Sequence, residues 1–263
     1  MRRHARTPPL DASPDILHTM RFPLLTAVAA FAALAAGAVA GQSANPALAI
    51  GEPPPPVASI ATPPSPWDDT FAAFAAADRE APPPEGSVLF VGSSSIRLWN
   101  GLEKEFGAKR VVLKRGFGGS KLSDCVKNLQ RLVIRYRPRI VLVYAGDNDL
   151  AAGGTPDDVL RRFVAFVDGV HRALPDTRID FISIKPSPRR AALVPAIRTT
   201  NTLIRDYVDS NPQLSYIDVF TPMLDAEGNP RRELFVADAL HLNADGYALW
   251  QSVIAPYVLQ AAR

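Results

Sequence analysis

Residues 87–96 read SVLFVGSSSI, an unbroken apolar run that ends in a glycine and three serines. An apolar run without polar alternation is typical of a strand that is buried on both faces of a parallel sheet. Four further runs of this kind follow, at 110–113, 140–144, 179–184 and 214–217. The sequence therefore contains five candidate strands.

Amphipathic stretches separate these candidate strands, and their apolar residues recur at the spacing of one helical face. They cover 67–79, 122–136, 156–174, 189–209 and 244–260. Strands that alternate with helices predict an α/β domain, with a parallel five-stranded sheet covered by helices on both faces and joined by right-handed crossovers. Ligands of such sheets bind beside the carboxyl ends of the strands, so we expect the chemistry there.

The first 66 residues are rich in alanine and proline and show little of this pattern. Residues 24–40 form an apolar run that follows Arg21 and ends in small residues, which predicts that 1–40 are a leader with a signal peptide. Met20 is a candidate translation start within it. Residues 41–66 predict an extended proline-rich linker, and 67–263 a single domain.

The leader predicts a periplasmic or secreted protein. An uncleaved membrane anchor is the less favoured alternative, because the apolar run is short and made mostly of alanine. Once the leader is cleaved, we expect no stable insertion of the protein in a membrane.

The formal net charge is +3, and the four arginines and two aspartates of residues 1–40 account for two of these charges. The remainder carries +1, without a basic cluster interleaved with aromatic residues, so a nucleic-acid partner is not expected. The only cysteine, Cys125, cannot form an intramolecular disulfide. We interpret it as a small, half-buried residue rather than a reactive thiol.

Polar blocks follow the first three candidate strands. Residues 92–96 place a serine on a turn after the first, although serines also cap helices. Residues 116–119, Gly-Phe-Gly-Gly, leave backbone N–H groups open to an anion or simply form a tight turn. Residues 146–149, Gly-Asp-Asn-Asp, follow the third strand. Farther along, Asp238 precedes His241 by three residues, a spacing at which the carboxylate can orient the imidazole toward a nucleophile.

These four blocks, in this order, resemble those of the SGNH hydrolases, a group that includes GDSL esterases and acetylhydrolases. The resemblance covers residues 67–263 and is closest to a bacterial branch whose first block is Gly-Ser-Ser-Ser-Ile-Arg. It implies a flavodoxin-like three-layer α/β/α sandwich. The family usually has Gly-Asp-Ser in the first block, and this chain has Gly92-Ser93-Ser94. Alignment on Gly92 makes Ser94 the nucleophile, with Ser93 as the alternative.

The resemblance implies a serine esterase or acylhydrolase that works through an acyl-enzyme. Ser94 would attack the ester carbonyl, His241 would take its proton, and Asp238 would hold the imidazole. We expect a small-molecule, polysaccharide or lipid ester as substrate. Short acyl groups such as acetyl are favoured, because the chain has no long insertion that could form a lid.

The same resemblance implies an oxyanion site made by the backbone N–H groups of Ser94 and Gly119 and by the side chain of Asn148. Gly118 is the less favoured alternative to Gly119. No cofactor and no metal ion is implied.

Two other functions remain open from the sequence. A metal-dependent hydrolase would use Asp147, Asp149, Asp238 and His241 as ligands. A carbohydrate- or lipid-binding module on an inactivated hydrolase scaffold would use the same cleft without catalysis.

Overall fold

The structure, a computed structural model, describes residues 65–107 and 110–260. The predicted leader and all but the end of the predicted linker lie outside the described residues. One sheet is formed by five strands, β1 (Val88–Gly92), β2 (Val112–Gly116), β3 (Ile140–Tyr144), β4 (Arg178–Ile182) and β5 (Leu214–Ile217).

The strands are arranged in the order β2-β1-β3-β4-β5, and every neighbouring pair is parallel. This is the flavodoxin-like order, so the predicted α/β fold is confirmed. In the register of the sheet, Gly92 lies beside both Gly116 and Tyr144. The first three strands therefore end at the same level, and the polar blocks that follow them share one edge of the sheet.

Within the described residues, nine helices cover the two faces of the sheet. They are α1 (Asp68–Glu80), α2 (Ser94–Arg97), α3 (Leu102–Phe106), α4 (Leu122–Lys127), α5 (Leu129–Leu132), α6 (Asp147–Ala151), α7 (Pro156–Ala173), α8 (Val194–Asp209) and α9 (Ala244–Gln260). Short 3₁₀ turns lie at Ile134–Tyr136, Pro188–Leu193, Thr221–Met223 and Arg232–Leu234. No helix within the described ranges has both the length and the hydropathy needed to span a membrane.

The sheet separates two apolar cores, because successive strand residues point to opposite faces. Leu89 and Val91 of β1 pack with α1, α4, α5, α7 and α8, whereas Val88 and Phe90 pack with α2, α3 and α9. Both faces of β1 and β3 are buried, which explains why their sequences are apolar without alternation. This is the expected three-layer arrangement.

Helix α7 shows how local sequence determines one of these layers. Thr155 caps its first turn in a reciprocal capping box with Asp158, and Pro156 occupies the first helical position. The helix then buries residues at helical spacing, among them Val159, Phe163 and Phe166. Burial of one such side chain contributes about 2 kcal/mol, so this face anchors the helix on the sheet.

Some predicted boundaries were wrong. Residues 122–136 form two short helices and a 3₁₀ turn, because Asn128 leaves helical geometry and its side-chain amide donates to the carbonyl of Asp124 at 2.9 Å. Strand β2 extends to Gly116. Its position 115 can hold a buried arginine because the Arg115 guanidinium is paired with Asp78. Cys125 is fully buried rather than half-buried, and burial raises the pKa of its thiol.

Candidate active site

The strand β1 ends at a position that only glycine fits. Gly92 has φ +143°, and a Cβ there would lie 1.9 Å from the carbonyl oxygen of Tyr144. Ser93 follows in extended conformation and is fully buried, with its N–H bonded to the same carbonyl. Ser94 begins α2 and lines the pocket at the sheet edge, whereas Ser95 is again buried. Of the three serines, the structure therefore presents Ser94 to the pocket.

Ser94 lies next to the predicted histidine although 147 residues separate them. Its Oγ is 3.1 Å from Nε2 of His241, and Nδ1 of His241 is 2.6 Å from Oδ2 of Asp238. The three side chains thus form one continuous hydrogen-bonded chain, as the resemblance implied. This is the geometry in which an imidazole can take a proton from a serine hydroxyl.

A tight turn holds the acid and the histidine together. Oδ1 of Asp238 accepts the backbone N–H groups of Leu240 and His241, each at 2.9 Å. Ala239, between them, has φ +60°, a left-handed conformation that non-glycine residues rarely adopt. Desolvation acts to raise the pKa of Asp238, but the hydrogen bonds from His241 and Leu240 outweigh it and hold that pKa well below its usual value. The carboxylate is therefore charged wherever the imidazole functions as a base.

The predicted oxyanion donors converge on the same pocket. Gly119 has φ +75°, and its N–H, like that of Ser94, forms no hydrogen bond with another described residue. Asn148 is half-buried and lines the pocket from α6. Its Nδ2 donates to the carbonyl of Ser120 at 3.0 Å. An amide nitrogen carries two hydrogens, so one remains for a ligand.

A buried charged cluster lies behind Asn148, and sequence reasoning missed it. Lys185 Nζ lies 3.3 Å from Oδ2 of Asp147 and 3.2 Å from the hydroxyl of Tyr144. Arg190 contacts Asp147 at 3.1 Å and donates to Oδ1 of Asn148 at 2.8 Å. Burial acts to raise the pKa of Asp147, but Lys185 and Arg190 outweigh it and lower that pKa.

The aspartates of the third block do not gather as metal ligands. Asp147 faces Lys185 and Arg190, whereas Asp149 accepts the N–H of Leu122 and pairs with Arg162 at 2.7 Å. Within the described residues, no three His, Cys, Asp or Glu side chains are placed to hold a metal ion. The alternative ligand set that included both aspartates is therefore not assembled.

The pocket itself is open and has a volume of about 580 Å³. Besides the predicted site residues it is lined by Pro66, Trp67, Thr70, Arg97, Gly118 and Leu240. The Trp67 indole N–H donates to the carbonyl of Gly118 at 2.8 Å, which ties the start of the domain to the glycine turn. Trp99 and Phe117 are near the site in sequence, but both are buried in the core and neither lines the pocket.

Known proteins match this chain in family and in fold. The GDSL-like lipase/acylhydrolase family matches residues 87–249. No match was found among curated protein sequences. A Bacteroides fragilis protein described as an acylhydrolase is 19% identical with a TM-score of 0.65, over 73% of this chain and 97% of its own.

Two other solved structures extend this likeness. A GDSL-like lipase from Bacteroides thetaiotaomicron is 19% identical with a TM-score of 0.62, over 73% of this chain and 98% of its own. A family 3 carbohydrate esterase from Talaromyces cellulolyticus is 19% identical with a TM-score of 0.52, over 66% of this chain and 96% of its own. At these identities the likeness shows the fold.

Proposed function

The chain belongs to the GDSL-like lipase/acylhydrolase family, and from this membership and the geometry of its site we propose that it is a serine esterase with Ser94 as nucleophile. One observation carries the proposal most directly. Ser94 Oγ, the His241 ring and the Asp238 carboxylate form a single hydrogen-bonded chain at the rim of a pocket, with contacts of 3.1 and 2.6 Å.

In the proposed reaction, Ser94 Oγ attacks the ester carbonyl while its proton passes to Nε2 of His241. Asp238 holds the other ring nitrogen and stabilises the imidazolium that forms. When the tetrahedral intermediate collapses, the protonated His241 gives its proton to the leaving alcohol. Water then attacks the acyl-enzyme, with His241 again as the base, and releases the acid and free Ser94.

The negative oxygen of each tetrahedral intermediate would be bound by three donors. These are the backbone N–H groups of Ser94 and Gly119 and the free hydrogen on Nδ2 of Asn148. Donors held in place before the reaction stabilise the transition state without reorganising during it. No step in this scheme needs a cofactor.

We further propose that the substrate carries a short acyl group such as acetyl on a carbohydrate or lipid alcohol. The pocket is open, and among the described residues no long insertion covers it. The carbohydrate esterase with the same fold makes a carbohydrate ester a reasonable first choice. Export to the periplasm or the medium is proposed from the leader sequence, residues 1–40.

The test is hydrolysis of p-nitrophenyl esters from acetate to palmitate by the purified protein, with covalent labelling by a fluorophosphonate in parallel. We expect the highest kcat/KM for acetate and labelling of one serine. Labelling without turnover of any ester would leave the nucleophile in place but contradict the choice of model substrates. If the protein shows no turnover and no labelling, the result would contradict the proposed esterase function and favour a binding module.

A further inference from the structure

The side-chain amide of Asn148 is held in one orientation by its two neighbours. A guanidinium contains only hydrogen-bond donors, so the atom of Asn148 that faces Arg190 must be the oxygen. A backbone carbonyl is an acceptor only, so the atom that faces Ser120 must be the nitrogen. The observed contacts agree, with Arg190 to Oδ1 at 2.8 Å and Nδ2 to Ser120 at 3.0 Å.

Arg190 is itself fixed from behind. Its other terminal nitrogen lies 3.1 Å from Asp147, which also pairs with the buried Lys185. The 3₁₀ turn Pro188–Leu193 is kinked at Arg190, which has φ −115°, and Arg190 is largely covered while its neighbour Arg189 is exposed. The chain therefore directs one of two adjacent arginines toward the site.

We propose that Arg190 is a positioning residue that keeps the amide N–H of Asn148 turned toward the oxyanion. Without Arg190, only the Ser120 carbonyl holds the amide, so the orientation that presents its oxygen to the developing negative charge becomes more populated. This inference rests on the proposed esterase function and extends it to a residue 42 positions away from Asn148 in sequence. Asp147 acts one step farther back, because it pairs with the Arg190 guanidinium, and Lys185 in turn pairs with Asp147.

The test is a double-mutant cycle with Arg190→Met and Asn148→Ala, assayed with p-nitrophenyl acetate. Arg190→Met should lower kcat roughly 10- to 100-fold and change KM less than about threefold, since complete loss of one oxyanion donor costs roughly 10²- to 10³-fold. In the Asn148→Ala background the same substitution should change kcat less than about twofold. Arg190→Lys, which keeps a donor, should recover part of the loss, and the exposed neighbour Arg189→Met is the matched control.

Equal losses in both backgrounds would show that Arg190 acts independently of Asn148 and would overturn the inference. A second readout does not depend on turnover. The side-chain amide NMR signals of Asn148, identified by their absence in Asn148→Ala, should shift or broaden in Arg190→Met and stay unchanged in Arg189→Met. Unchanged signals in Arg190→Met would also overturn the inference about Arg190. Absence of esterase activity in the wild type would contradict only the proposed function.

A different observation concerns the charge of the pocket. Arg97 lines it on the same short helix as Ser94 and is exposed, and its guanidinium forms no ion pair or hydrogen bond with any residue in the described ranges. Its side chain lies across Gly118, where a Cβ would come within 2.8 Å of Nε. None of the described residues that line the pocket carries a carboxylate. An unpaired guanidinium thus lies beside the glycine turn, with no carboxylate in the lining to oppose it.

We infer that the ester substrate is anionic, with a carboxylate or similar group that reaches Arg97 when the carbonyl lies over Ser94. This rests on the proposed function and names the class of substrate. The probes are two pairs, p-nitrophenyl butyrate with mono-p-nitrophenyl succinate, and acetylated glucose with acetylated glucuronate. The first pair tests the acyl part of the substrate and the second the alcohol part.

In at least one pair the wild type should prefer the anionic ester roughly fivefold in kcat/KM, the scale of a solvent-exposed ion pair. Arg97→Gln should abolish that preference, by lowering kcat/KM for the anionic ester more than for its neutral counterpart. Arg172→Gln, which removes an exposed arginine at the end of α7, is the matched control for net charge. Neutral esters hydrolysed without any anionic preference would overturn this inference and leave the esterase proposal intact.

Discussion

The backbone N–H of Arg189 donates to the carbonyl of Ala239 at 3.0 Å, and this bond joins the two halves of the site. Arg189 precedes the arginine that contacts Asn148, and Ala239 lies inside the turn that carries Asp238 and His241. The segment after β4 therefore touches both the oxyanion side and the base side. The bond uses backbone atoms only, so a shift of either segment should disturb Ser94, whereas a side-chain substitution such as Arg189→Met retains it.

The left-handed turn at Ala239 yields the first prediction. Ala239→Gly should keep near-normal activity, because glycine adopts φ +60° without steric cost. Ala239→Val should lower kcat roughly 10²-fold, since a β-branched residue resists this conformation and a displacement of about 1 Å has that effect on catalysis. Steady-state kinetics with p-nitrophenyl acetate measure both. Equal activity of the two variants would contradict the geometric role of this turn.

The amide of Asn148 yields the second. Asn148→Ala should lower kcat roughly 10²- to 10³-fold with little change in KM, because an oxyanion donor acts mainly in the transition state. The variant should unfold at nearly the wild-type temperature, as the side chain is only half-buried. An unchanged kcat would remove Asn148 from the oxyanion site.

The acid of the triad yields a pH prediction. The pKa of Asp238 is lowered from its usual 3.8, so its carboxylate stays charged as pH falls to that value and is protonated only below it. The decline of kcat/KM on acidification should therefore follow a single proton, with a slope of one in the logarithmic profile, down to about pH 4. A slope of two above pH 4 would show that Asp238 titrates together with the base.

Replacing the Asp238 carboxylate by a neutral amide should greatly reduce catalysis. Asp238→Asn should lower kcat by about 10⁴, because the amide no longer holds the imidazole in the required tautomer. The measurement is single-turnover acylation by a fluorogenic acetate ester. A loss of less than tenfold would indicate that His241 is oriented by other contacts.

The buried cluster yields a prediction of stability. Lys185→Met should reduce the free energy of unfolding by about 3 kcal/mol, because Asp147 remains buried and loses one of its two cations. Urea denaturation at pH 7 measures it. Glu85→Gln, which breaks the exposed pair with Arg137, should leave the urea midpoint unchanged. Similar midpoints for the two variants would contradict the structural importance of the cluster.

Much of the fold was predictable because it depends on local patterns. The apolar runs of β1 and β3 reflect burial on both faces, and the glycines that end β1 and β2 mark close backbone approaches. Boundaries were less accurate where side chains compete with the backbone, as at Asn128. Strand β2 was underestimated because the buried Arg115 depends on Asp78, 37 residues away.

The residues of the site likewise separate into those that local sequence patterns predict and those that depend on distant partners. Ser94, Gly119, Asn148, Asp238 and His241 could be proposed as site residues from the sequence because each belongs to a short block with a recognisable composition. Lys185 and Arg190 were missed, since neither stands in such a block and their partners are 38 and 42 residues away. A buried lysine cannot be distinguished from a surface lysine in one sequence. The turn Lys185-Pro186-Ser187-Pro188 was the only local signal there.

The most direct test of the central claim is the acetate ester hydrolysis of Ser94→Ala beside Ser93→Ala. Ser93 Oγ is buried without a hydrogen-bond partner, so its removal should not disturb the fold. The account predicts that Ser94→Ala loses at least about 10³-fold in kcat and fluorophosphonate labelling, while Ser93→Ala retains both. Loss of activity in Ser93→Ala with activity retained in Ser94→Ala would contradict it and move the nucleophile by one residue.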